Sequence, residues 1–260
     1  MYKKLLMVIC LLGLGMTFCS GRKGDSALRP EDRLALAEEL QGEGKCAKAA
    51  IEYEQLLSEF PTQQIAERAE FNLARCRLEL EEYDLALLGF EDFIDSYPLS
   101  ELVDNAMYYI ALSYLRQAPR PERDQTKTAK ALSELNLLLR EYPETDVRRE
   151  AEEAAVTCRS KLAEKEYLNG RLYLRLGYYE SARIYFDSVL AEYGETDWAG
   201  LALLGSGIAY SKENRLAEAR EAFERILREY PSSGASAEAA RRLEELGGVV
   251  ESEARAFSEH

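Results

Sequence analysis

The chain has 260 residues, 47% of them hydrophobic and 31% charged, enough for one substantial soluble domain or a short solenoid. Acidic residues exceed basic ones, 47 against 33, leaving a net charge of −14. A field of that sign repels phosphate backbones and argues against nucleic acid as a partner, so the surplus reads as solvated helix surface.

The first residues follow different rules from the rest. Lys3 and Lys4 precede an apolar run over 5–18, and polar, turn-forming SGRKGDS follows it. A basic start with so short an apolar run fits an export signal and falls short of a membrane-spanning helix. Residues 1–19 are therefore set apart as a lipoprotein-like signal segment ending in Cys19, and 20–29 as a tether. The segment GMTFCS resembles bacterial lipoprotein signals, which place a lipid-modified cysteine where Cys19 stands. Met16 suits that pattern, while Phe18 departs from the small residue such signals prefer before the cysteine. Cys10 lies inside the apolar run and needs no role beyond hydrophobicity.

Cys46, Cys76 and Cys158 remain. None belongs to a CxxC or a Cys/His cluster, and the one histidine is His260, so neither a metal nor another cofactor is expected. Free thiols buried on helix faces are the first reading; a bridge between Cys46 and Cys76 in adjoining hairpins is the second.

Five segments beyond the tether end alike, at Pro61, Pro98, Pro143, Gly194 and Pro231, with spacings of 37, 45, 51 and 37 residues. Each closes a stretch with apolar residues at three- and four-residue steps, the mark of an amphipathic helix stopped by Pro or Gly. Upstream of each stop a small residue precedes a large one by four: Ala49 and Tyr53, Ala86 and Phe90, Ala131 and Leu135, Ala182 and Phe186, Ala219 and Phe223. That step places both on one helix face, the small residue allowing close approach and the large one filling the gap. Five pairs in register define a repeat, and the preceding helices, with Leu203, Gly207 and Tyr210 in the last unit, match the tetratricopeptide pattern.

The predicted fold is all-α: a tetratricopeptide-like, right-handed superhelical solenoid of about five helical hairpins plus a C-terminal capping helix. Its domain covers 30–246, with units at 30–61, 66–98, 102–143, 147–194 and 197–231, a cap at 235–246 and a flexible tail at 247–260. The first unit matches least well, as expected of an end repeat. In the third, Pro119 and Pro121 break the helix, so 117–128 is a loop. Residues 147–169 predict a long helix that extends the fourth hairpin, and Gly247 with Gly248 predicts the end of the cap.

Such a stack presents a concave wall of first helices on which partner segments lie. Tyr108, Tyr109, Tyr114, Tyr167, Tyr173, Tyr178 and Tyr179 are its aromatic candidates for partner contact, each weighed against a packing role within the repeat. An enzyme is not expected. Adjacent acidic pairs such as Glu81 and Glu82 diverge by about 100° on a helix and cannot converge on one bond. No phosphate loop and no serine or cysteine nucleophile motif is present.

Two stretches carry a more specific resemblance: APRPERDQTKTAKAL at 118–132 and KLAEKEYLNGRLYLRLGYYESA at 161–182. With the lipoprotein-like start and the five units, they resemble the BamD (YfiO) family of outer-membrane β-barrel assembly lipoproteins. That resemblance implies lipid anchoring at the periplasmic face of the outer membrane, binding of the barrel-forming subunit through the C-terminal units, and a meeting with unfolded barrel proteins in the groove of the first two units. It also marks Arg120, Asp124, Gln125 and Thr126 as family positions of the inserted loop, whose expected work is to latch it onto neighbouring helices, with partner contact the lesser alternative. A periplasmic tetratricopeptide scaffold for envelope, cell-division or peptidoglycan factors is the other function compatible with the repeats alone.

Overall fold

The computed structural model describes residues 28–61 and 64–258, with side chains through 247. The expected signal segment with Cys10 and Cys19, and nearly all of the tether, lie outside the described residues.

Eleven helices follow one another among the described residues: α1 (Pro30–Gly42), α2 (Cys46–Glu59), α3 (Gln64–Glu79), α4 (Tyr83–Ser96), α5 (Val103–Arg116), α6 (Thr126–Glu141), α7 (Arg148–Leu176), α8 (Tyr179–Glu192), α9 (Trp198–Lys212), α10 (Leu216–Glu229) and α11 (Ser236–Ser258). They make five hairpins and a final helix, each packed on the next in chain order, as the repeat predicts. The odd helices α1 to α9 also touch one another in succession, and the even ones have no comparable contacts. The odd row is therefore the inner, concave wall.

Local chemistry fixes where the helices begin and end. Pro30 sits in the first turn of α1, where a missing N–H costs nothing. Each second helix ends on an aromatic residue, Phe60, Tyr97, Tyr142, Tyr193 or Tyr230, whose φ lies between −126° and −137°. In four of the five a proline follows, and its ring forces the preceding residue out of the helical region.

A second periodic device lies in the hairpin turns. Gly44, Glu81, Gly177 and Asn214 have φ of 74°, 62°, 80° and 59°. Each stands five positions before the small alanine of its unit, Ala49, Ala86, Ala182 or Ala219. The left-handed residue reverses the chain so that the second helix returns along the first. The third unit lacks it, because the loop after α5 replaces the tight turn.

The Ala and large-residue pairs are the core. All ten members are sealed from solvent, and they anchor successive apolar clusters along the stack. The Phe186 ring is gripped from both sides, since a Cβ at Gly170 of α7 would lie 2.6 Å from it and one at Gly205 of α9 only 2.4 Å. In the first hairpin the buried Arg33 binds Glu52 at 2.8 Å and approaches Glu59 at 3.7 Å, tying α1 to α2 by charge.

Two expectations need revision. The helix expected over 147–169 does extend the fourth hairpin but runs further than that span, for 29 residues to Leu176, because it is itself the hairpin's first helix. Its start packs with α5 and α6, and its end with α8 and α9. The stop expected at Gly247 and Gly248 is absent, because α11 continues to Ser258. A mid-helix glycine costs only about 1 kcal/mol, and the flanking helix-forming residues override two of them.

Candidate partner-binding surfaces

The concave wall offers its most open chemistry at the N-terminal end, where α1, α3 and α5 meet. Glu38, Gln41, Arg68, Asn72 and Arg75 line a cavity there with Phe71 as part of its floor. Arg68 is held by Glu38 at 2.7 Å, and Gln41 accepts a 2.8 Å bond from the Tyr53 hydroxyl. Arg75 makes no ion pair with any described residue. Its guanidinium lies over Tyr109 at 5.4 Å and Phe71 at 6.0 Å. Tyr109 in turn stacks on Phe90 at 5.4 Å and meets Tyr108 edge-on at 5.5 Å. These two tyrosines are half-buried and hold the wall as much as they face it.

The inserted loop is a latched structure. Gln125, 7% exposed, donates to the carbonyls of Arg120 at 2.9 Å and Arg123 at 3.4 Å and accepts from the Thr128 hydroxyl at 2.6 Å. Asp124 accepts the Thr126 N–H at 3.0 Å just ahead of α6, and the Thr126 side chain first, then that N–H, hold its carboxyl below the usual carboxylate range. From α7, Lys165 donates to the Glu122 carbonyl at 2.7 Å and Lys161 reaches that of Ala118 at 3.5 Å. Arg120 joins through its backbone, and its side chain is exposed. Tyr114, at the end of α5 before the loop, lies under the ammonium groups of Lys127 and Lys130, both 5.3 Å from its ring.

The remaining candidates lie on α7 and α8, apart from the first group. Tyr167 packs on Trp198 at 5.2 Å and Phe186 at 6.0 Å, and Tyr173 stacks on Tyr185 at 5.3 Å. Both serve the core of their hairpin. Tyr179 is half-buried, while Tyr178 is 62% exposed. Tyr178 meets Tyr173 edge-on at 6.4 Å, Leu172 and Leu176 at the end of α7 are 44% and 59% exposed, and Arg171 lies over the Tyr167 ring at 5.9 Å. Exposed apolar side chains thus flank the turn at Gly177 on both sides.

Sequence reading missed Asn72, Arg75, Leu172 and Leu176, because groove and tip positions are not repeated from unit to unit. The one available signal was local: polar Asn72 and Arg75 stand one helical turn apart among the buried residues 71–74.

No His, Cys, Asp or Glu group among the described residues is arranged to hold a metal ion. An array of successive helical hairpins with a latched loop is a tetratricopeptide-like solenoid. The chain belongs to the YfiO family of outer membrane lipoproteins, whose model matches residues 34–222. It is similar to the putative outer membrane protein assembly factor BamD of Aquifex aeolicus, 29% identical over 62% of this chain and 52% of that one. The Caulobacter vibrioides assembly factor BamD is 30% identical over 50% of this chain and 42% of its own length. That of Pasteurella multocida is 23% identical over 79% of this chain and 83% of its own. The chain thus spans about half the length of the first two relatives and most of the third.

Proposed function

We propose that this chain is a non-catalytic scaffold of the machinery that assembles β-barrel proteins in the outer membrane. A lipid on Cys19 holds it at the periplasmic face, its C-terminal units hold the barrel-forming subunit, and its N-terminal groove receives unfolded barrel proteins. The observation that carries this reading is the family match over 34–222, which takes in both the inserted loop and the long α7.

The surfaces suit those tasks. Arg75, braced on Tyr109 and Phe71, presents hydrogen-bond donors to the carbonyls or carboxylate of an extended chain. Leu172, Leu176 and Tyr178 form an exposed anchor of the kind that fills a partner's pocket. A short tether confines the scaffold near the membrane and raises the local concentration of any partner anchored there. One lipid chain pair and one protein contact then reinforce each other.

The test is purification of the full chain from envelopes in mild detergent, with mass analysis of the mature N-terminus. Diacylglyceryl on Cys19 and a co-purifying barrel-forming subunit are expected. Recovery with peptidoglycan or cell-division factors, and no barrel-forming protein, sinks the assembly role; an unmodified soluble product sinks the anchor.

A further inference from the structure

Cys46 and Cys76 meet across the joint between the first two hairpins. Cys46 is the first residue of α2, Cys76 lies near the end of α3, and both belong to one buried cluster with Ala49, Tyr53 and Leu73. Both are free thiols in this structure. They share that cluster, and burial first, then the neighbouring Cys46, push the Cys76 thiol up to about 12. Their access differs. Cys46 is 8% exposed and lines a cavity with Gly44, Arg75 and Leu78, whereas Cys76 is sealed at 0%. Cys158 is also sealed, in the separate cluster of α5, α6 and α7, and has no thiol beside it.

We infer that Cys46 and Cys76 form a disulfide that staples the end hairpin to its neighbour once the chain reaches an oxidising compartment. That compartment, though not the pairing, rests on the outer-membrane reading above. Periplasmic thiol oxidation is a disulfide exchange. The oxidant is a reactive disulfide, carried by a small molecule or by an oxidoreductase. Its sulfur is attacked by the Cys46 thiolate, because Cys46 alone is reachable, and one thiolate of the oxidant leaves. Cys76 then gives up its proton, aided by the nearby Arg75 guanidinium, and attacks the Cys46 sulfur. The second thiolate leaves, so two protein thiols and one disulfide become one protein disulfide and two thiols. The order is dictated by burial: a sealed Cys76 cannot begin the exchange, and a mixed disulfide on Cys46 delivers the electrophile to it.

The staple falls where the stack needs it. An end unit of a solenoid has a neighbour on one side only, so α1 and α2 open more easily than interior hairpins. Linking 46 to 76 holds them to α3.

The deciding experiment treats the purified full chain, reduced and then freed of reductant, with oxidised glutathione, followed by denaturing alkylation and peptide mapping. A linked Cys46–Cys76 peptide, two hydrogens lighter than its parts and lost on reduction, is expected, with Cys158 alkylated. In Cys76→Ser the glutathione adduct should accumulate on Cys46; in Cys46→Ser, Cys76 should stay unmodified while the fold persists. Amide exchange in α1 and α2 should slow by roughly a hundredfold on oxidation. Separate alkylation of Cys46 and Cys76 in the treated wild-type chain overturns the pairing. The same mapping on chain taken directly from cells under acid quench separates the two readings. A pair that links in vitro yet is reduced in cells counts against the oxidising compartment, and a linked pair in cells supports both.

Discussion

Gly207 of α9 and the Phe223 ring of α10 fit together because glycine has no side chain: a Cβ at 207 would lie 2.4 Å from the ring. The ring is fully buried. Gly207→Ala should lower stability by about 1–3 kcal/mol through overpacking. Phe223→Ala should cost about 3–5 kcal/mol through the cavity it leaves. Phe223→Ala combined with Gly207→Ala should cost less than the sum of the singles. Urea unfolding followed by circular dichroism reads all three, and strict additivity would show that the contact is not what couples the two helices.

Glu81 occupies the left-handed turn position that Gly44, Gly177 and Asn214 fill in other units. A side chain with a full Cβ is strained there by roughly 1–2 kcal/mol. Glu81→Gly should therefore stabilise the second hairpin by up to about 1 kcal/mol, after the entropy that glycine adds to the unfolded chain is subtracted. The urea midpoint should rise; a fall would mean that the Glu81 side chain makes a contribution larger than its strain.

Gln125 closes the loop after α5, satisfying two carbonyls and the sealed Thr128 hydroxyl. Gln125→Ala leaves those groups unpaired and should cost about 1–3 kcal/mol. Trypsin should then cut after Arg123 several times faster than in the wild type, the Arg120–Pro121 bond being resistant. An unchanged cutting rate would show that Lys161 and Lys165 suffice to hold the loop.

Glu166 of α7 titrates above the ordinary glutamate range, first because it is partly buried and next because Glu192 repels its charge; Lys165 and Asn169 oppose the shift. A raised folded pKa means that its contribution to stability is complete below the unfolded value of about 4.3 and is lost as pH rises through the folded value. Glu166→Gln does not titrate. Its Tm should exceed that of the wild type by a small margin at neutral pH, and the margin should close near pH 4 as the wild-type carboxyl protonates. A margin independent of pH would assign the effect to packing.

The two surfaces should separate genetically. Arg75→Ala should weaken capture of unfolded barrel protein several-fold, by photo-crosslinking from the groove, and spare the barrel-forming subunit. Leu172→Glu with Tyr178→Glu should do the reverse. Both variants should keep wild-type helicity, since Arg75, Leu172 and Tyr178 carry no sealed side chain. Parallel loss of both activities in either variant would collapse the two surfaces into one.

Most of the architecture was legible because it is periodic. Ala49 and Tyr53, and their counterparts, announce close packing at a fixed step, and the prolines announce each stop. The turn device escaped notice because glycine, glutamate and asparagine share no side-chain chemistry; only the backbone angle unites them. Gly247 and Gly248 misled because a weak local preference lost to the helix-forming residues around it. Arg75 and Asn72 were illegible for a different reason: groove residues answer to a partner and vary from unit to unit. The contact between Cys46 and Cys76 depends on how one hairpin sits on the next, which spacing alone does not give.

The single helix α7 forms the fourth hairpin and packs its start on the third, and that changes how the protein can move. Twenty-nine residues make a rod about 43 Å long. Its foot is clamped by α5 and α6, and its head carries the Tyr178 tip and seats Phe186. Between foot and head there is no turn to act as an elbow. A tug on the head therefore reaches the foot, and the loop that Lys161 and Lys165 tether to its shaft, as a lever stroke.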